Sequence, residues 1–266
     1  MALGMSQNSI VPRLHLLLAL AVMAVWGTNF AVIKLALEHV PPLWLATLRF
    51  ACAFLPAAFF LKRPAVPLSN LAAYGVLIGA GQFGLLFLAM KNDITPGLAS
   101  LVVQIQVFFT IALSMRLTGE RVRGFQWAAL ALATSGLAVI LTHSNGSATP
   151  LGLGLVVTAA FFWSNGNMVS RAAGKVDMLA YVVWASIFAV PPLFLLALLF
   201  EGVPALMAGV HAATPTTWAA VVWQAVGNTM FGYGVWGWLL ARHPAATVAP
   251  MALLVPVFGM GASTLF

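Results

Sequence analysis

The chain has 266 residues, of which 62% are hydrophobic and only 6% charged, with a formal net charge of +7 at pH 7. A soluble domain carries about 25% charged residues, so this composition excludes an ordinary globular fold and points to a multi-span membrane protein. The excess of Lys and Arg is spread singly between apolar runs, which reads as a topology signal rather than a nucleic-acid surface, and the single Cys52 excludes an intramolecular disulfide.

In chain order, apolar segments fall at approximately 14–35, 43–61, 70–90, 97–117, 124–142, 151–170, 178–200, 216–240 and 245–266. The first continues from Arg13 past Trp26 to Ile33 without a convincing small-residue cleavage site, so it reads as a span rather than a removed leader. Apolarity on all sides at this length specifies helices, because a bilayer core offers no water to an unpaired backbone group. The connections are short and rich in Pro, Gly, Asn and Ser, as at Pro41-Pro42 and 143–150, and leave no room for a soluble domain. With the amino terminus inside, the cytoplasmic side receives Arg13, Lys62, Arg63, Arg116, Arg121, Arg123, Arg171, Lys175 and Arg242. The outer side then receives Lys34 and Lys91, and Arg49 alone falls within a span. That asymmetry predicts a cytoplasmic amino terminus.

An internal repeat is legible. Trp26-Gly27-Thr28-Asn29 is followed by Lys34 eight residues after the tryptophan, and Trp163-Ser164-Asn165-Gly166-Asn167 by Arg171 at the same interval. Five spans separate the two copies, an odd number, so the halves 1–142 and 143–266 are expected to insert in opposite orientations with a site near the midplane between them. The first half holds five spans and the second four. The expectation is an all-α polytopic protein with nine of ten helices present, the last being absent after Phe266.

Polar side chains at depth mark the candidate site. They are Asn29, Gln82, Gln104, Gln106, Asn165, Asn167, Gln224 and Asn228, the last two at i, i+4 on one face. An amide both donates and accepts, which suits a substrate carrying ammonium and carboxylate together. The same groups also serve to bond helices to one another, and the sequence leaves both uses open. Gln104 and Gln106 point about 200° apart on an α-helix, so at most one is expected to face a cavity. Trp26 and Trp163 are expected as outer and inner aromatic constrictions, with plain packing as the alternative. Tyr233, between Gly232 and Gly234, completes the candidate set. Arg49 either snorkels outward, bonds carbonyls at a helix break, or receives a carboxylate. The acidic residues and the histidines all fall in loops or at span ends, so the sequence offers no intramembrane proton relay. No arrangement of nucleophile and base, metal ligands or paired carboxylates within one pocket supports an enzyme, and no cofactor is called for.

The stretches VWGTNFAVIK, PPLWLATLRF, GLASLVVQIQVFFTI, Gly119-Glu120-Arg121, GYGVWGWLLARH and VAPMALLVPVFG resemble, in order and over nearly the whole chain, the EamA family of the drug/metabolite transporter superfamily. Within it they are most similar to bacterial inner-membrane exporters of O-acetylserine and cysteine. The resemblance implies ten helices in two inverted five-helix repeats and export of a zwitterionic amino-acid metabolite through the lipid bilayer. Other amino acids or drugs are the alternative substrates, and a non-transporting membrane scaffold or a membrane-embedded enzyme the alternative classes.

Overall fold

The structure, a computed structural model, describes residues 11–263 apart from 141–147 and several positions between 121 and 140. Among the described residues the chain is helical and without named strands. The helices are α1 Arg13–Leu37, α2 Pro42–Phe54, α3 Leu68–Asn92, α4 Pro96–Thr118, α5 Pro150–Ala172, α6 Met178–Phe200, α7 Gly202–Ala212, α8 215–240 and α9 245–263. The fifth expected span, 124–142, lies largely outside the described residues, as do Arg121, Arg123 and the last three residues of the ninth. By length and apolarity, α1, α2 with the short turn that follows it, α3, α4 and α6 suffice to cross a bilayer.

Local chemistry sets the boundaries. The starts of α4, α5 and α8 share one device: Thr95, Thr149 and Thr214 accept a backbone N–H with their side chains, and a proline follows at the first helical position. Asp177 caps α6 by accepting from the N–H groups of Leu179 and Ala180. Three helices stop at a left-handed glycine: Gly119 after α4, Gly174 after α5 and Gly202 after α6.

Two helices widen and two tighten at mid-length. α3 is π-helical over Leu77–Gly84 and α8 over Gln224–Tyr233. α4 tightens to a 3-10 turn at Val103–Ile105 and α9 at Ala249–Leu254. Such interruptions loosen the regular backbone ladder and concentrate at functional sites; here they carry Gln82, Gln224, Asn228, Tyr233 and Gln104.

α2 lies along α6 and α1 along α9, while α3 and α4 pack on α5, and α8 meets α1 and α2. The approach of α3 to α6 depends on missing side chains: a Cβ at Gly75 would strike the carbonyl of Ala185, and one at Gly79 the side chain of Ala189. One helix was not expected. α7, with 11 residues, extends only about 16 Å, too short to cross the hydrocarbon core. It buries Gly209 against His39 and exposes Val203 and Met207.

Candidate functional site

The widened turn of α8 presents three oxygens to one cation. Arg49, on α2, is wholly buried. Its Nε donates to Thr229 Oγ1 at 2.6 Å, Nη1 to Gln224 Oε1 at 3.3 Å and Nη2 to Asn228 Oδ1 at 2.8 Å. Its Cζ stands 3.7 Å from the ring centre of Phe83. Among the described residues no carboxylate lies within ion-pair distance of it. The guanidinium neither snorkels nor binds a broken helix end; it is held by neutral side chains and an aromatic face. Gln224 extends this network by exchanging amide bonds with Asn29 of α1, donating at 2.7 Å and accepting at 3.3 Å.

A second network joins α4, α5 and α8. Asn167 donates to Thr110 Oγ1 at 3.1 Å and Gln106 Oε1 at 3.3 Å, and accepts from Trp236 Nε1 at 3.0 Å. Gln82 of α3 and the Tyr233 hydroxyl of α8 bond one another at 2.8 Å. Between these networks lies a recess of about 30 Å³, lined by Trp26, Asn29, Gln82, Phe83, Gln104, Trp163, Asn228 and Tyr233 among others.

Trp26 and Trp163 were expected as two separate constrictions, and the structure corrects this. Their rings meet edge to face, with centroids 5.2 Å apart, and Trp26 also touches Tyr233 and Trp236. Each ring lies near the middle of its helix, α1 of 25 residues and α5 of 23, so both come to the centre of the bundle. Trp26 reaches this place because Gly232 has no side chain, a Cβ there falling on the indole nitrogen.

The bundle is tied at both ends by a carboxylate that caps a distant helix. Glu201, after α6, accepts from the N–H groups of Leu43 at 2.9 Å and Trp44 at 3.1 Å at the start of α2. At the opposite end Glu120, after α4, pairs with Arg171 and accepts from Ala245 at 3.3 Å and Ala246 at 3.4 Å at the start of α9. Burial raises the Glu201 carboxyl above its usual value, outweighing the two N–H groups and Lys91. Burial also pushes Glu120 upward, but Arg171, Ser114 and the Ala246 N–H reverse the shift and hold it below the usual value. Two tryptophans lace α2 to α6 reciprocally, Trp44 Nε1 donating to Gly202 O and Trp184 Nε1 to Leu61 O.

This arrangement has relatives. The model of the EamA-like transporter family matches residues 13–142 and again 150–266. The chain belongs to this family. It is therefore a transporter, not an enzyme, and a multi-pass membrane protein. It is 42% identical over 252 residues to a probable amino-acid metabolite efflux pump of Salmonella typhimurium, covering 92% of this chain and 84% of that protein. It is 41% identical over 254 residues to one of the same description from Escherichia coli, covering 93% and 85%. A probable terminal-alkyne amino-acid exporter of Streptantibioticus cattleyicolor is 26% identical over 250 residues, covering 87% and 78%. A solved crystal structure superposes with a TM-score of 0.68 at 20% identity, over 96% of this chain and 88% of its own, and shares the fold.

Within this EamA chain the expected residues fall into distinct places. Trp26, Asn29, Gln82, Gln104, Trp163, Asn228 and Tyr233 line the recess. Gln224 stands behind it with Arg49, while Gln106 and Asn167 form the α4–α5 network. Asn165 turns away and bonds the Phe161 carbonyl of its own helix. Sequence reasoning missed Thr229, Thr110 and Trp236 as network members, and Glu120 and Glu201 as cross-caps. The hydroxyl beside Asn228 was a usable signal; the cross-caps had none, because their partners lie more than a hundred residues away.

Proposed function

We propose that the protein exports small zwitterionic amino-acid metabolites of the O-acetylserine and cysteine kind across the bacterial inner membrane by alternating access. The observation that carries this reading is Arg49: a buried guanidinium with only neutral partners, beside an amide-lined recess between helices. Buried charges without a counter-ion are costly, and in membrane proteins they mark substrate paths. The descriptions of the Salmonella and Escherichia coli relatives support the substrate class.

In this reading 1–142 and 143–266 are inverted halves, and the amino terminus is cytoplasmic. Several pairings support it: π-helical turns in α3 and α8, 3-10 turns in α4 and α9, the reciprocal bonds of Trp44 and Trp184, and the Trp26–Trp163 contact. The distribution of Lys and Arg supports the orientation. The two cross-caps then stand at opposite membrane faces, Glu120 inside and Glu201 outside, and alternating access requires one to part while the other holds.

The test is efflux of labelled O-acetylserine or cysteine from cells expressing the protein, against cells carrying the Arg49→Met variant. Wild type is expected to accelerate efflux and the variant not to; equal efflux from both, at equal membrane abundance, would refute the reading.

A further inference from the structure

The recess is chemically two-ended. Gln104 Oε1 is buried and accepts no hydrogen bond, its amide nitrogen being used by the Ser100 carbonyl at 3.1 Å. Trp26 Nε1 and Trp163 Nε1 are likewise buried and donate to nothing. Asn228 spends its Oδ1 on Arg49, and no hydrogen bond among the described residues uses its Nδ2. All four side chains line the recess and are at least 95% buried. Proteins seldom leave such groups unmatched, and the exceptions concentrate where something else binds.

The donor and acceptor ends differ in potential. Arg49 stands directly behind Asn228, so the Asn228 amide is polarised by a full positive charge and its Nδ2 hydrogens are strengthened as donors. Gln104 comes from α4, has no cation among its hydrogen-bond partners, and shares the lining with the rings of Trp26 and Trp163. An unmatched acceptor oxygen in a recess lined by aromatic rings suits a cation.

We propose that the recess fixes the direction in which a zwitterion is held: carboxylate on Asn228 Nδ2 with Arg49 behind it, ammonium on Gln104 Oε1. This rests on the export reading and specifies which atoms read the two charges. Arg49 acts through Asn228 and is a positioning residue for the carboxylate end. The recess, at about 30 Å³, accommodates about two waters, so an amino acid enters only as the helices part.

The experiment uses purified protein in liposomes and follows transport of labelled cysteine in competition with unlabelled cysteine, cysteinamide (no carboxylate) and N-acetylcysteine (no ammonium). In wild type both blocked compounds are expected to compete about tenfold more weakly than cysteine, or worse, the loss of one hydrogen bond to a charged group. Asn228→Asp sets a carboxylate against Arg49 without changing shape. It is expected to fold, to weaken cysteine at least about tenfold, and to favour cysteinamide over cysteine. Gln104→Leu is expected to erase the discrimination against N-acetylcysteine while keeping that against cysteinamide, a split that a merely structural role would not produce. If Asn228→Asp fails to unfold cooperatively on heating, Gln104→Leu decides the matter. Wild type that transports cysteine but is inhibited equally by all three compounds would overturn the orientation and leave the export reading standing. Wild type that moves no amino-acid metabolite would overturn both.

Discussion

At the scale of single residues, Arg49 and Asn167 are two points where several polar groups depend on one side chain. Lysine at position 49 keeps the charge but loses the planar fork that reaches Thr229, Gln224 and Asn228 together. Arg49→Lys is therefore expected to lower efflux at least about tenfold, roughly the loss of one charged hydrogen bond, while the protein still reaches the membrane in normal amount. Asn167→Ala strands the Trp236 indole N–H and removes a donor from Gln106 and Thr110. It is expected to cost about 1–3 kcal/mol, read as a lowered thermal unfolding midpoint in detergent. Gly232→Ala has a different signature: it displaces Trp26 from the aromatic cluster and should shift tryptophan fluorescence as well as transport.

At the scale of elements, two devices hold helices to one another. The first is close approach of α3 and α6 over Gly75 and Gly79, where Gly75→Val pushes a side chain into the Ala185 carbonyl. That backbone oxygen cannot rotate away, so the variant is expected to assemble poorly, seen as aggregation on size-exclusion chromatography. The second is cross-capping, and its two carboxylates respond to pH with opposite signs. Glu120 titrates below its usual value of 4.5. Its stabilisation is complete above that value and fades as pH falls through the lower folded one. Glu201 titrates above 4.5. Its contribution is greatest below that value and fades as pH rises through the higher folded one. Thermal midpoints followed from about pH 6 to about pH 3 should show Glu120→Gln flattening the acid-side loss. Glu201→Gln should leave a steeper acid-side loss, because it removes the compensating term.

At the scale of the whole molecule, the carboxylates and imidazoles among the described residues sit at the ends of the helices rather than in the middle. Among the described residues, the charged side chain at the centre is Arg49, which stays protonated at all working pH values. The proposal that the substrate's own gradient drives transport rests on this arrangement. In proteoliposomes, efflux of a zwitterion is expected to change little under an imposed proton gradient or membrane potential, because the solute carries no net charge. Strong acceleration by the proton gradient would contradict it.

What composition and spacing determined was the class of object: apolar runs with no water to help the backbone must be helices. The amides at depth were equally legible, because polarity within an apolar run is a local property of the chain. Which amide served which purpose was not. Gln104 and Gln106 point to different sides of α4, and which of them lines the recess and which bonds α5 was decided by what packs on each side. The meeting of Trp26 and Trp163, the seat of Arg49 on α8 and the cross-caps of Glu120 and Glu201 join positions far apart in the chain. Only packing brought those together, because a side chain's partner is fixed by which helix faces it, and sequence period records a face without naming its neighbour.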